Sequence, residues 1–268
     1  MNITEANLFG TQGRALGCHE GHLWLVSMPS EGGNWREFES ILSPDEKEKA
    51  STFVVSKPAY AYAKNRALLR SLLSQYLAVD KKEISFIYGL EGKPFVASMH
   101  QSDVCFNVSH TDGLMVLALV RGSNVGVDCE RLDRSAHYLE IAKREFSPDE
   151  YLWLSTANEA SVPKIFWRLW VAKEACLKWG GQGLTLGLDA FQFIPSPQGD
   201  LKCHLKPKVE SRASGGALVS DEVHEGVWSE QFVELNLLPE AYCIALAVSS
   251  SVNEILYQKV DEKNVFKA

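Results

Sequence analysis

The chain has 268 residues, 46% of them hydrophobic, and carries a formal net charge of −7 with a pI near 5.6. That length suits one large sheet-based domain or two small lobes, with apolar residues enough for a sizeable core. The acidic balance excludes a protein that holds nucleic acid by nonspecific charge, although local basic clusters can still grip a phosphorylated small molecule.

Six cysteines, at 18, 105, 129, 176, 203 and 243, form no C-x-x-C pair. They suit neither a zinc knuckle nor a disulfide scaffold and predict reduced thiols in a cytoplasm. "MNITEANLFG" lacks the basic start and apolar stretch of a signal peptide, and no aliphatic run is long enough to span a bilayer. A cytoplasmic protein without membrane contact is therefore expected.

In chain order, the pattern predicts a strand at 22–28, helices at 44–53 and 58–77, and a β-region at 84–97 containing "GKPFV". The first helix opens on "LSPDE" (42–46), where Ser caps, Pro takes the first helical position and Glu reaches back. Three strands follow, "CFNVSH", "GLMVLALV" and "NVGVDCE", with "RGSN" (121–124) read as the tight link of a hairpin between the last two.

Helices are predicted next at 136–144, 148–157 and 163–179, the last stopped by the glycines of "GGQG". "FSPDE" (146–150) nearly repeats "LSPDE" at an offset of 104, which also lays "KNRALLRSLL" over "RLWVAKEACL". Such recurrence suggests two related units, though a helix cap this common also recurs by chance. The tail alternates the strand-like "FQFIP", "GVWSEQFVEL" and "AYCIALAVS", with 211–222 the best candidate for a flexible loop. The expected class is α+β: two similar lobes, residues 1–122 and 123–268, related by pseudo-twofold symmetry with the site at their interface.

"GVDCERL" carries the chemistry. On a strand, Asp128 and Glu130 share a face at about 6–7 Å while Val127 and Cys129 point the other way. Two such carboxylates repel unless a cation sits between them, and hard oxygen donors favour Mg2+ or Mn2+ with a phosphate completing the shell. They could equally be a solvated strand end paired to Arg131 or Arg134. In "FWRLWVAKEACLKWGGQGL", Glu174 and Lys178 lie one turn apart, as a base and the electrostatic partner of a leaving phosphate or as a surface ion pair. Ser109 and His110 end a strand where they could bind phosphate, and Lys93 stands in a loop fixed by Gly92 and Pro94.

"GKP", "FNVSH", "GVDCE" and "WVAKEACLKWGGQGL", in that order and at these separations over residues 42–189, resemble the two-lobed, surfactin-synthetase-activating type of 4′-phosphopantetheinyl transferase. The resemblance implies transfer of the 4′-phosphopantetheine of coenzyme A to a serine hydroxyl of an apo acyl or peptidyl carrier protein in fatty acid, polyketide or peptide synthesis. Adenosine 3′,5′-bisphosphate would be released. It implies Mg2+ or Mn2+ on Asp128, Glu130 and Glu174, with Glu174 and Lys178 catalytic. By the same likeness Lys93, Pro94, Ser109, His110 and Lys178 would contact coenzyme A, and Lys57, Lys49 and Arg66 its 3′-phosphate region.

Cys129 departs from the aliphatic or charged residue usual there and is expected to pack as a small hydrophobe. Carrier docking is expected near Lys143 and Arg144, and a monomer is expected because fused lobes replace a dimer contact. The rival readings are a Mg2+-dependent nucleotide hydrolase or phosphotransferase, and a noncatalytic module that binds coenzyme A or a carrier.

Overall fold

A computed structural model describes residues 1–9, 16–29, 32–89, 91–181, 187–195, 201–205, 231–238 and 241–267. The first half contains β1 (Asn2–Glu5), β2 (Glu20–Ser27), α1 (Pro44–Ser51), α2 (Ser56–Leu77), β3 (Phe86–Tyr88), β4 (Pro94–Val96), β5 (Val104–Thr111) and β6 (Leu114–Arg121). The second contains β7 (Val125–Arg131), α3 (Tyr138–Glu145), α4 (Pro148–Thr156), α5 (Val162–Gly180), β8 (Phe191–Pro195), β9 (Leu201–Leu205), β10 (Gln231–Glu234), β11 (Tyr242–Val248), β12 (Glu254–Asp261) and α6 (Glu262–Lys267). The class is α+β, as expected. The predicted loop at 211–222 lies outside the described residues.

β6 is apolar at every position but its last because both of its faces are buried. Side chains alternate along a strand, so Met115, Leu117 and Leu119 meet Leu68, Leu69, Leu72 and Leu73 of α2 on one face. On the other, Leu114, Val116, Ala118 and Val120 meet Val125, Val127 and Cys129 of β7 and Ile244, Leu246 and Val248 of β11. Ala245 and Ala247 of β11 turn the opposite way, onto Val171, Ala172 and Ala175 of α5. The layers therefore run α2, five-stranded sheet, shared core, three-stranded sheet, α5.

The sheet orders are β1-β12-β2-β6-β5 and β10-β11-β7, with β3-β4 and β8-β9 as separate hairpins. This corrects the hairpin expected at "RGSN". β6 pairs with β2 and β5, whereas β7 pairs with β11, so the tight link at Gly122, whose φ is +62°, carries the chain from one sheet to the other. A strand beyond residue 249 was not anticipated. β12 enters the first sheet in parallel between β1 and β2 and returns the end of the chain to the first half.

The two repeated caps become two buried clasps. Glu46 accepts from Ser43 N at 3.1 Å and pairs with Arg70 and Arg66, each at 2.6 Å. Arg70 then donates from Nη1 to the carbonyls of Lys81 and Ile84, both at 2.8 Å. Glu150 accepts from Ser147 N at 2.8 Å and pairs with Lys173 at 2.9 Å. Lys173 donates to the carbonyls of Leu188, at 3.0 Å, and Phe191. In each half a cap glutamate is thus tied to a buried cation of the long helix, which holds the chain on its way into a small hairpin.

Candidate active site

β5 and β7 belong to different sheets and are joined through side chains. Asn107, Ser109 and Thr111 alternate onto one face of β5. Asn107 Oδ1 accepts from Val127 N at 2.8 Å, Ser109 Oγ donates to Asp128 Oδ1 at 2.8 Å, and Thr111 Oγ1 donates to Glu130 Oε2 at 3.1 Å. The two strand acids share this face, as the spacing predicts, while Cys129 packs between the sheets with its thiol pushed up to about 12 by burial and by Asp128.

Gly126 brings in the helix. A Cβ there would lie 2.0 Å from Ala175 O and 2.3 Å from Trp179 N, so only glycine lets α5 run this close over β7. That approach sets Glu174 and Lys178 beside the strand acids, and Gly181, at φ +69°, ends the helix by donating to Leu177 O. Gln182 and Gly183 of "GGQG" lie outside the described residues.

Lys178 Nζ donates to Asp128 Oδ1 at 2.6 Å and to Ser109 Oγ at 3.2 Å. Burial works against its charge, but Asp128 and Glu174 outweigh it and hold the amine above the usual lysine range. Burial, Asp128 and Glu130 push the Glu174 carboxyl up, with Lys178 opposing. Asp128 Oδ2 is buried and has no hydrogen-bond partner among the described residues. Lys93 reaches in from the β3-β4 hairpin, next to Pro94, and donates to Val125 O at 3.0 Å and to Lys178 O. Burial, with Lys178 adding to it, pulls its amine down to about 8.

His110 faces away from Ser109 and lines a cavity of about 450 Å³ together with Lys57, Tyr60, Lys64 and Arg134. Sequence reasoning did not single out Lys64, which is 5% exposed and held by Glu262 and Pro29 O, each at 3.0 Å. Nor did it give Arg134 a role in the cavity. Its pairing with Glu130, at 2.6 Å, is the ion pair raised above, whereas Arg131 turns to Asp112 and Asp133.

Of the three residues expected at the 3′-phosphate, Lys57 lines the cavity and Lys49 and Arg66 do not. Arg66 is held by Glu46 and Tyr88, and Lys49 is exposed beside the Phe53 ring.

Among the described residues no three His, Cys, Asp or Glu side chains converge into a finished metal cage. Asp128 and Glu130 are turned onto Lys178 and Arg134 instead. The donor set nonetheless fits a hard dication. Asp128 Oδ2 lacks a donor among the described residues, and Glu174, raised chiefly by burial, also feels the charges of Asp128 and Glu130, a set of hard oxygen donors that suits such an ion.

Two family models match, described as the 4′-phosphopantetheinyl transferase superfamily over residues 124–246 and as 4′-phosphopantetheinyl transferase, N-terminal, over residues 28–121. The 4′-phosphopantetheinyl transferase HetI of Nostoc sp. is 31% identical over 189 residues, 70% of this chain and 79% of that protein. The transferase Sfp of Bacillus subtilis is 33% identical over 168 residues, 63% of this chain and 73% of that one. The chain belongs to the 4′-phosphopantetheinyl transferase superfamily. The human L-aminoadipate-semialdehyde dehydrogenase-phosphopantetheinyl transferase is 29% identical over 191 residues, 66% of this chain and 62% of that protein.

As a phosphopantetheinyl transferase the chain is an enzyme that transfers phosphopantetheine to carrier proteins, with coenzyme A as substrate, and the nucleotide-hydrolase and noncatalytic readings give way. The seam between the two matches falls at the Arg121–Asn124 link where this transferase passes from one sheet to the other. No helix among the described residues is long and apolar enough to cross a membrane.

Proposed function

We propose that this transferase works from a cleft between β5, β7 and α5, with Asp128, Glu130 and Glu174 holding one Mg2+, for which Mn2+ can substitute. The carrying observation is the unpartnered, buried Asp128 Oδ2 beside two further carboxylates. The bound dication would neutralise the pyrophosphate of coenzyme A. Lys93, Ser109 and Lys178 converge on the same place and suit that pyrophosphate, while Lys57 and His110 line the adjoining cavity and suit the 3′-phosphate end.

The carrier serine would attack the phosphorus that bears pantetheine, forming one P–O bond as the bridging P–O bond to adenosine 3′,5′-bisphosphate breaks. Glu174 takes the serine proton as general base. Lys178, held charged by two acids, offsets the negative charge gained by the departing phosphate. Incubation with coenzyme A, Mg2+ and an apo carrier should raise the carrier mass by one phosphopantetheine. An unmodified carrier across a panel of acyl and peptidyl types would contradict the reading.

The two clasps support two lobes related by pseudo-twofold symmetry, divided at 122/123 with β12 returned to the first lobe. A cytoplasmic monomer is the simplest working form, since both sheets facing the shared core come from one chain. Lys143 and Arg144, in the last turn of α3, offer an acidic carrier a basic landing point. Reversing both charges should raise KM for the carrier severalfold and leave KM for coenzyme A unchanged. An unchanged carrier KM would place docking elsewhere.

A further inference from the structure

Glu130 does not wait with both oxygens free. Its Oε2 accepts from Thr111 Oγ1 at 3.1 Å and from Arg134 Nη1 at 2.6 Å, so a metal acid of the proposed site is already neutralised from within the chain. Arg134 differs from Lys178, the cation paired with Asp128. Lys178 is anchored in α5 and 29% exposed, whereas the Arg134 side chain is 54% exposed and lies between β7 and α3.

The backbone of Arg134 is held at its carbonyl, while its guanidinium is half exposed. Its carbonyl accepts from Tyr138 Oη at 2.7 Å and from Trp167 Nε1 at 3.4 Å. The guanidinium carbon lies 5.6 Å from the Trp167 ring centroid, a face on which it can turn without losing contact. Arg134 also lines the 450 Å³ cavity with Lys57, Lys64 and His110. One side chain therefore borders both the acid cluster and the basic cavity.

We propose that Arg134 is a movable counter-ion that couples the two ligands of this enzyme. Without ligand it pairs with Glu130 and weakens the attraction of the acid cluster for a dication. When the phosphates of coenzyme A enter the cavity, they compete with Glu130 for the guanidinium, and its release hands Glu130 to the metal. Linkage makes the effect reciprocal, so metal also favours coenzyme A. An exposed pair of this kind limits the coupling to roughly two- to fivefold in affinity. The inference rests on the metal and coenzyme A placement proposed above and adds the residue that links them.

The test reads binding rather than turnover: Mn2+ titration of the full chain by electron paramagnetic resonance of the free ion, with and without coenzyme A. Arg134→Gln should bind Mn2+ roughly two- to fivefold more tightly than wild type without coenzyme A, and should tighten less when coenzyme A is added. The part that remains would come from the pyrophosphate itself. Arg134→Lys, which restores a cation, should return both quantities toward wild type. Equal Mn2+ affinity in Arg134→Gln and wild type, with an undiminished response to coenzyme A, would overturn the proposal and leave the metal site standing. No Mn2+ bound by wild type even with coenzyme A would overturn the site and the coupling together.

Discussion

The two long helices, α2 and α5, solve one packing problem and differ in chemistry. Each follows a Ser-Pro-Asp-Glu cap, lays apolar residues on a sheet, and holds a buried cation, Arg70 or Lys173, against the cap glutamate and two carbonyls beyond the helix. Counted from that cation, the next position and the fifth hold Glu174 and Lys178 in α5 but Ser71 and Gln75 in α2. Ser71 Oγ and Gln75 Nε2 have no hydrogen-bond partner among the described residues, whereas Glu174 and Lys178 sit in a dense field of charge. Similar packing thus carries a charged pair on one helix and neutral polar residues on the other, and charge placement rather than helix architecture distinguishes the proposed site.

The sharpest way to break that contrast is to neutralise each helix in turn. Glu174→Gln removes a charged donor and the proposed base, and should lower carrier modification by about 10²–10⁴-fold. Ser71→Ala in α2 should leave it within about twofold. A comparable loss in both, by the mass assay on apo carrier, would mean that the contrast is structural only.

The clasps come next in size. Replacing Lys173 by Met leaves the buried Glu150 carboxylate without its cation, a change that costs about 3–5 kcal/mol, whereas Arg70→Met leaves Glu46 with Arg66 alone and should cost less. Urea unfolding should show both losses, and only Lys173→Met should also disturb the site, since its neighbour is Glu174. Burial opposes ionisation of Glu46, but Arg70 and Arg66 outweigh it and hold the carboxyl below its ordinary 4.5. A depressed carboxylate stabilises the fold above its unfolded value and loses that contribution as pH falls through the folded one. Stability should therefore decline below about pH 4.5 in wild type and depend less on pH in Glu46→Gln.

The smallest effect concerns Lys93. Its amine, pulled down to about 8 by burial, loses its proton as pH rises through that value. Coenzyme A affinity should fall severalfold between about pH 7 and 9, and Lys93→Arg, which stays charged, should flatten the profile. A fall of the same size in Lys93→Arg would remove Lys93 from the coenzyme A site.

Period and cap chemistry made much of this legible. Alternation put Asp128 and Glu130 on one face and Cys129 on the other, helical spacing brought Glu174 beside Lys178, and both cap motifs start helices where expected. What escaped was pairing at a distance. "RGSN" has hairpin composition, but turn residues do not say which strands pair, and β7 finds its partner in β11 more than a hundred residues on. Lys64 gains its place in the cavity wall through Glu262, at the far end of the chain, and Arg66 is diverted by Glu46, which its own sequence neighbours do not reveal.

The central claim is that three carboxylates gather one dication against the coenzyme A pyrophosphate. Anomalous diffraction from crystals grown with Mn2+ and coenzyme A tests it most directly. The account predicts one peak bound by Asp128, Glu130 and Glu174. A peak elsewhere, or one from which Glu174 stands outside the coordination shell, would contradict it.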